Sequence, residues 1–370
     1  EEDAVTPGRR ISWALVVPPV ALLTLIVTWT LQLGPVLVLI VALVLGGAVL
    51  AAVHHAEVVA HRVGEPFGSL VLAVAVTVIE VALIVSLMLS GGPETASLAR
   101  DTVFAAVMIT ANGIVGLALM LGALRYGLTL FNAEGSGAAL ATVTTLATLC
   151  LVLPTFTTSL PGPEFSTAQL VFAALASLTL YVAFVLTQTV RHRDFFLPVG
   201  PDGDTERPIG AEEHAPPPRT RTALISLGLL LVALVAVVGL AKVESPAIES
   251  AVVAGGLPQS FVGVIIALLV LLPETLAAAR AARRGRIQIS LNLAYGSAMA
   301  SIGLTIPTIA VASIWLEGPL HLGLGPTQMV LLALTVVVGM LTVVPGRATR
   351  LQGTVHLVLL AVFLFLAVSP

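Results

Sequence analysis

Long apolar runs, broken by short polar or Gly/Pro-rich connections, recur from one end of the chain to the other. A helix that crosses the hydrocarbon layer needs roughly 20 apolar residues. Eleven runs meet that length: 11–31, 35–60, 66–90, 99–125, 136–160, 166–190, 223–243, 257–282, 287–316, 327–344 and 352–369. The pattern predicts an all-α membrane protein with about eleven transmembrane helices. Trp13, Trp29 and Trp315 fall near span ends, where amphipathic rings favour the interface.

Composition supports this solvent. Hydrophobic residues make up 57% of the 370 and charged residues only 10%, against about 25% charged in soluble domains. The charged, proline-containing start (EEDAVTPGRR) and the long first run do not read as a cleaved signal peptide. Cys150 is the single cysteine, so the chain has no internal disulfide and no cysteine-rich metal cluster.

The basic residues test the span count. If the connections alternate between two sides, fifteen of the seventeen Lys and Arg residues fall on one side, and only Arg100 and Lys242 fall opposite. The rich side is cytoplasmic by the positive-inside rule. The expected placement is the bacterial inner membrane, with the N-terminus inside and the C-terminus outside.

One long connection, 191–222, is rich in Pro, Gly and charge and reads as a flexible cytoplasmic linker. Its acids, Asp194, Asp202, Asp204, Glu206, Glu212 and Glu213, are those of a solvated connector, with cation sensing as the sharper alternative. The linker divides the chain into 1–34 (tail and leading helix), 35–190 (five helices), 191–222, and 223–370 (five helices). Five is odd, so two such repeats cross the membrane in opposite senses, the inverted-repeat plan of secondary transporters. The third and eighth spans match: Phe precedes Glu by thirteen residues in both, Phe67 to Glu80 and Phe261 to Glu274.

Those glutamates carry the functional reading. Eighteen of the twenty acids lie in connections or near predicted span ends, whereas Glu80 and Glu274 lie within spans. A carboxylate at that depth faces a bundle interior or a watery cavity and marks an ion path. Pro273, just before Glu274, removes a helical amide and frees a carbonyl. Polar stripes follow in the next helices, with Ser290, Ser297 and Ser301 in one and Asn112 in the other. Their oxygens can complete a cation's shell or simply bond neighbouring helices. His54, Glu57 and His61 share a helical face near a span end, with Glu65 following, as an acidic entrance or as interfacial residues facing water.

Other chemistries lack their motifs. There is no G-x-x-x-x-G-K-[ST] phosphate loop, and HAEVVAH does not have the H-E-x-x-H spacing of a zinc protease.

The stretches HAEVVAHRVGEPFGSLVLAVAVTVIEVALI and LLPETLAAARAARRGRIQISLNLAYGSAMASIGLTIP resemble the two repeats of the cation/Ca2+ exchanger superfamily, in its bacterial cation/proton antiporter branch. The matching features are Gly64 sixteen residues before Glu80, and Gly296-Ser297 following 22 residues after Glu274. Vacuolar-type members carry Gly-Asn before each glutamate, where this chain has Val76-Thr77 and Val270-Leu271; Thr77 replaces one side-chain oxygen and Leu271 none. The resemblance implies a Ca2+/H+ antiporter, with Na+ or K+ as alternative cargo, no cofactor, and Glu80 and Glu274 shared by cation and protons. A passive cation channel is the second reading, and homo-oligomerisation stays open.

Overall fold

A computed structural model of the chain describes residues 12–31, 33–64, 67–90, 95–199, 218–315 and 318–369. Glu65 and the linker acids Asp202, Asp204, Glu206, Glu212 and Glu213 lie outside the described residues.

Eleven apolar rods follow one another: α1 (Trp13–Thr28), α2 (Pro35–Val63), α3 (Phe67–Ser90), α4 (Leu98–Tyr126), α5 (Ala133–Phe156), α6 (Thr167–Arg191), α7 (Thr220–Ala254), α8 (Phe261–Arg283), α9 (Ile287–Ala312), α10 (Pro326–Val343) and α11 (Arg350–Val368). Ten of them are long and apolar enough to cross a bilayer; α1, with 16 residues, is shorter. The expected eleven-helix plan is therefore present. Most predicted limits move by four residues or fewer, and one moves by eleven. The span expected to close at 243 continues as α7 to Ala254, and the span expected to reach 316 ends as α9 at Ala312. Hydropathy alone stopped the first of these at the Lys242–Glu244 stretch, but backbone hydrogen bonding carries the helix past it.

Local chemistry sets several helix starts. Pro35 and Pro326 occupy first-turn positions, where no amide donor is needed. The Asn132 side chain accepts from the amides of Glu134 and Gly135, and Ser166 with Gln169 and Thr349 with Gln352 form reciprocal caps. In α2 the end is set by Gly64 at φ 77°, a conformation that costs glycine little. Within α4 the ladder widens into a π-helical turn over Ile109–Ile114, a local expansion often found at functional sites.

The layering follows from burial. In α4, 89% of the most apolar window is buried, against 22% in α6 and α11. So α4 is central and α6 and α11 face lipid. One apolar core gathers around α4, α5, α8 and α9, and a second around α1, α2, α3 and α7. Packing between the halves is reciprocal. The glutamate-bearing α3 packs on α9, and its counterpart α8 packs on α4; α6 lies on α9, and α11 on α4. Each half thereby supplies a wall to the other's glutamate helix. A two-stranded antiparallel pair, Thr129–Leu130 with Arg347–Ala348, ties the α4–α5 and α10–α11 connections.

Candidate ion site

The crossing of α3, α8 and α9 encloses a cavity of about 250 Å³. Glu80 and Glu274, far apart in sequence, both line it, together with Thr77, Ser297 and Ser301. Glu80 is buried at 4% exposure. The Ser301 hydroxyl donates to its Oε1 at 2.7 Å, so one half of the chain positions the carboxylate of the other. Thr305, one turn farther along α9, approaches the same carboxylate without reaching hydrogen-bond geometry. Glu274 is half-buried, and its Oε2 is enclosed with no hydrogen-bond partner among the described residues. The two carboxylates stand within electrostatic reach of each other. A Cβ built on Gly296 would meet nothing within 4 Å, so this glycine leaves space on the cavity wall.

The cavity runs toward the linker side. Its wall continues through Val185 and Gln188 at the end of α6 and Ile289 at the start of α9. In the opposite direction Ile84, Leu87, Ile306 and Ile309 are all buried at 2% or less and close the route.

The predicted site residues separate into groups. Glu80, Glu274, Thr77, Ser297 and Ser301 come together at the cavity. Asn112 does not line it. Its amide nitrogen donates to Thr335 Oγ1 at 2.9 Å, and its Oδ1 meets the buried His356 Nδ1 at 3.1 Å, so it braces α4 against α10 and α11. Ser290 donates to the Ala278 carbonyl at 2.7 Å and fastens α9 to α8. Asn292 lies on the cavity wall, but its side chain is bonded to Phe196 and Gln288. Glu57 and His61 are exposed. Glu57 senses the charges of Glu274 and of Arg280. His55 turns inward instead, its Nε2 2.8 Å from the Ala14 carbonyl.

Two buried groups escaped the sequence reading. His356 sits late in the chain within an apolar run, and nothing local marks it. Glu244 was placed just beyond a span end, but it lies inside α7 at 2% exposure. Among the described residues no cluster of three or more His, Cys, Asp or Glu is arranged as a metal site. A cation in the cavity would be held by two carboxylates, hydroxyls and water.

This geometry tests through Ser301. Replacing Ser301 by Ala removes a hydrogen bond to a charged acceptor, worth about 1.5–3 kcal/mol. The expected result is a rise in the cation KM of roughly 10- to 100-fold with a smaller change in maximal rate. Flux titrations in vesicles measure it, and an unchanged KM would mean that the bond does not contribute to binding.

A multi-pass helical bundle with two carboxylates converging on one linker-facing cavity has the form of a membrane ion transporter. The chain belongs to the sodium/calcium exchanger protein family, whose profile matches residues 33–190 and 225–369. It is 50% identical over 339 residues to the y4hA protein of Sinorhizobium fredii, covering 90% of this chain and 89% of that one. It is 34% identical over 360 residues to the sodium-potassium/proton antiporter ChaA of Escherichia coli, covering 96% of each. Its fold is similar to that of YfkE, with a TM-score of 0.70 at 15% identity, covering 97% of this chain and 99% of that one.

Proposed function

We propose that the chain is a secondary active antiporter that exports Ca2+ in exchange for protons, with Glu80 and Glu274 as the shared binding groups. The observation that carries this reading is their convergence on one enclosed cavity, with Ser301 bonded to Glu80 and one Glu274 oxygen unpaired. A bound Ca2+ neutralises two carboxylates, and so do two protons. The empty, doubly charged site is costly to carry through a dry intermediate. The carrier thus changes sides when loaded or protonated and stays put when bare, which makes exchange obligatory.

The reciprocal packing of α3 on α9 and α8 on α4 supports an inverted repeat of 35–190 and 223–370, whose rocking would open the site to each side in turn. In this reading the linker side is the cytoplasm of a bacterial cell, the N-terminus is inside, and the present cavity is cytoplasm-facing. Glu57 and His61 stand at its entrance, and Ser297 and Thr77 supply further oxygens.

A second reading has Na+ or K+ as cargo, and the likeness to ChaA favours it. Two carboxylates would then hold one monovalent cation and one proton. One vesicle experiment separates these readings and also tests for a channel. With a pH gradient imposed and no membrane potential, an antiporter drives its cation uphill and a channel does not. Repeating the assay with Ca2+, Na+ and K+ at a fixed gradient ranks the cargo. Uphill Ca2+ movement is expected; its absence with all three ions would overturn the proposal.

A further inference from the structure

We infer that Glu244, in α7, is a third buried proton-binding carboxyl, separate from the ion cavity and placed at the end of the bundle away from the linker. Its use in transport rests on the antiporter reading, but its protonation does not.

The position follows from helix geometry. Glu244 is the twenty-fifth residue of α7 counted from Thr220, about 36 Å along the axis at 1.5 Å per residue. The neighbouring Lys242 confirms the level, since its Nζ sits 5.5 Å from the ring centroid of Trp29, just past the end of α1. This is the end of the bundle opposite the open mouth of the cavity. Residues two apart on a helix point to nearly opposite faces. Lys242 accordingly faces out, whereas Glu244 is buried at 2% exposure, with an Oε2 that has no hydrogen-bond partner among the described residues.

Nothing charged on the packed helices compensates it. α7 packs against α1, α2, α3 and α8. The halves of those helices at this end read ALLTLIVT (21–28), PVLVLIVALVLGGAV (35–49), VALIVSLMLS (81–90) and FVGVIIALLVLL (261–272), with no ionisable residue. The ionisable groups of α2, α3 and α8, from His54 to Arg62, Glu80, and Glu274 to Arg283, lie in the middle of the bundle or at the linker end. Other charged groups at this end have their own neighbours: Arg100 pairs with Asp101 at 2.8 Å, and Glu164 lies 3.6 Å from the His321 ring nitrogen.

An ionised carboxylate with an unpaired oxygen in such surroundings is strongly disfavoured. A cation does not relieve it, because Ca2+ takes six to eight oxygens and the facing helix halves carry no carboxylate to share the charge. A proton needs one acceptor only. Glu244 is therefore a carboxylic acid in this conformation. A shift of α7 relative to α3 that admits water to this end releases the proton, and burial takes one up again. The carboxyl thereby makes the conformational equilibrium sensitive to pH on the far side.

The test uses the full chain in lipid vesicles, treated with N,N′-dicyclohexylcarbodiimide, an apolar reagent that requires a protonated carboxyl. Fragment mass spectrometry locates the adducts. The expected result is an adduct on Glu244 in acid that falls at least tenfold toward alkaline pH and is absent in Glu244→Gln. No adduct on Glu244 at any pH, or one indifferent to pH, would overturn the site. In transport, Glu244→Gln should flatten the dependence of rate on far-side pH and keep the dependence on linker-side pH. An unchanged far-side profile would overturn the coupling role. Absence of proton-driven flux in the unmodified chain would overturn the antiporter reading instead, leaving the labelling result intact.

Discussion

Glu80→Gln and Glu274→Gln should each abolish proton-driven cation exchange while the protein still inserts and folds. Glutamine keeps the shape of the side chain and removes its charge and its proton. Removing one partner of a buried charge pairing costs about 3–5 kcal/mol, which corresponds to a loss of roughly 10²- to 10⁴-fold in cation affinity. The two variants should differ in detail. In Glu80→Gln the Ser301 hydroxyl still has an amide oxygen to donate to, so local packing is kept and the loss falls on binding. In Glu274→Gln the amide occupies a pocket where one oxygen had no partner, so the structural penalty is small and the electrostatic loss dominates. Proton-driven uptake in vesicles measures both. Normal exchange by both variants would show that the cavity is not the transport site.

Apparent cation affinity should tighten as the pH on the linker side rises. In the proposed mechanism protons and cation compete for the same two carboxylates, so each proton bound must leave before the cation is held by both. Linkage sets the sign and the slope. Where both carboxyls are protonated without cation, the logarithm of the apparent Kd falls with pH with a slope approaching two. Where both are ionised, it is flat. Because the carboxylates stand within reach of each other, they titrate as a coupled pair, and the curve reports the pair rather than either residue. A monovalent cargo sharing the site with one retained proton would give a slope nearer one. Calorimetric or flux titrations at a series of pH values, with pH set on the linker side alone, measure the slope. A flat affinity from about pH 4, near the ordinary Glu pKa of about 4.3, up to about pH 9 would show that protons and cation do not share these groups.

Much of the architecture was readable before any coordinates. A bilayer imposes one length on every helix that crosses it, and charge is excluded from the middle, so eleven runs and two intramembrane carboxylates stood out against an apolar background. The fragments that failed share a cause. Asn112 carried the right atoms at a plausible spacing, but whether a side chain faces a cavity or a neighbouring helix depends on helix rotation. The Ile109–Ile114 π-turn resets that rotation inside α4. The same reason sent Ser290 to the Ala278 carbonyl and Ser301 to Glu80, although both belong to one polar stripe.

The sequence by itself determined the solvent, the number of helices and the two glutamates placed within apolar spans, Glu80 and Glu274, because transfer into lipid is a property of each residue and sums along the chain. Only the tertiary structure decided that Glu80 and Glu274 share one cavity, that Ser301 rather than Asn112 lines it, and that Glu244 Oε2 is enclosed with no hydrogen-bond partner among the described residues. Those facts rest on which helix faces meet across the two halves, and that is settled by packing between residues up to hundreds of positions apart.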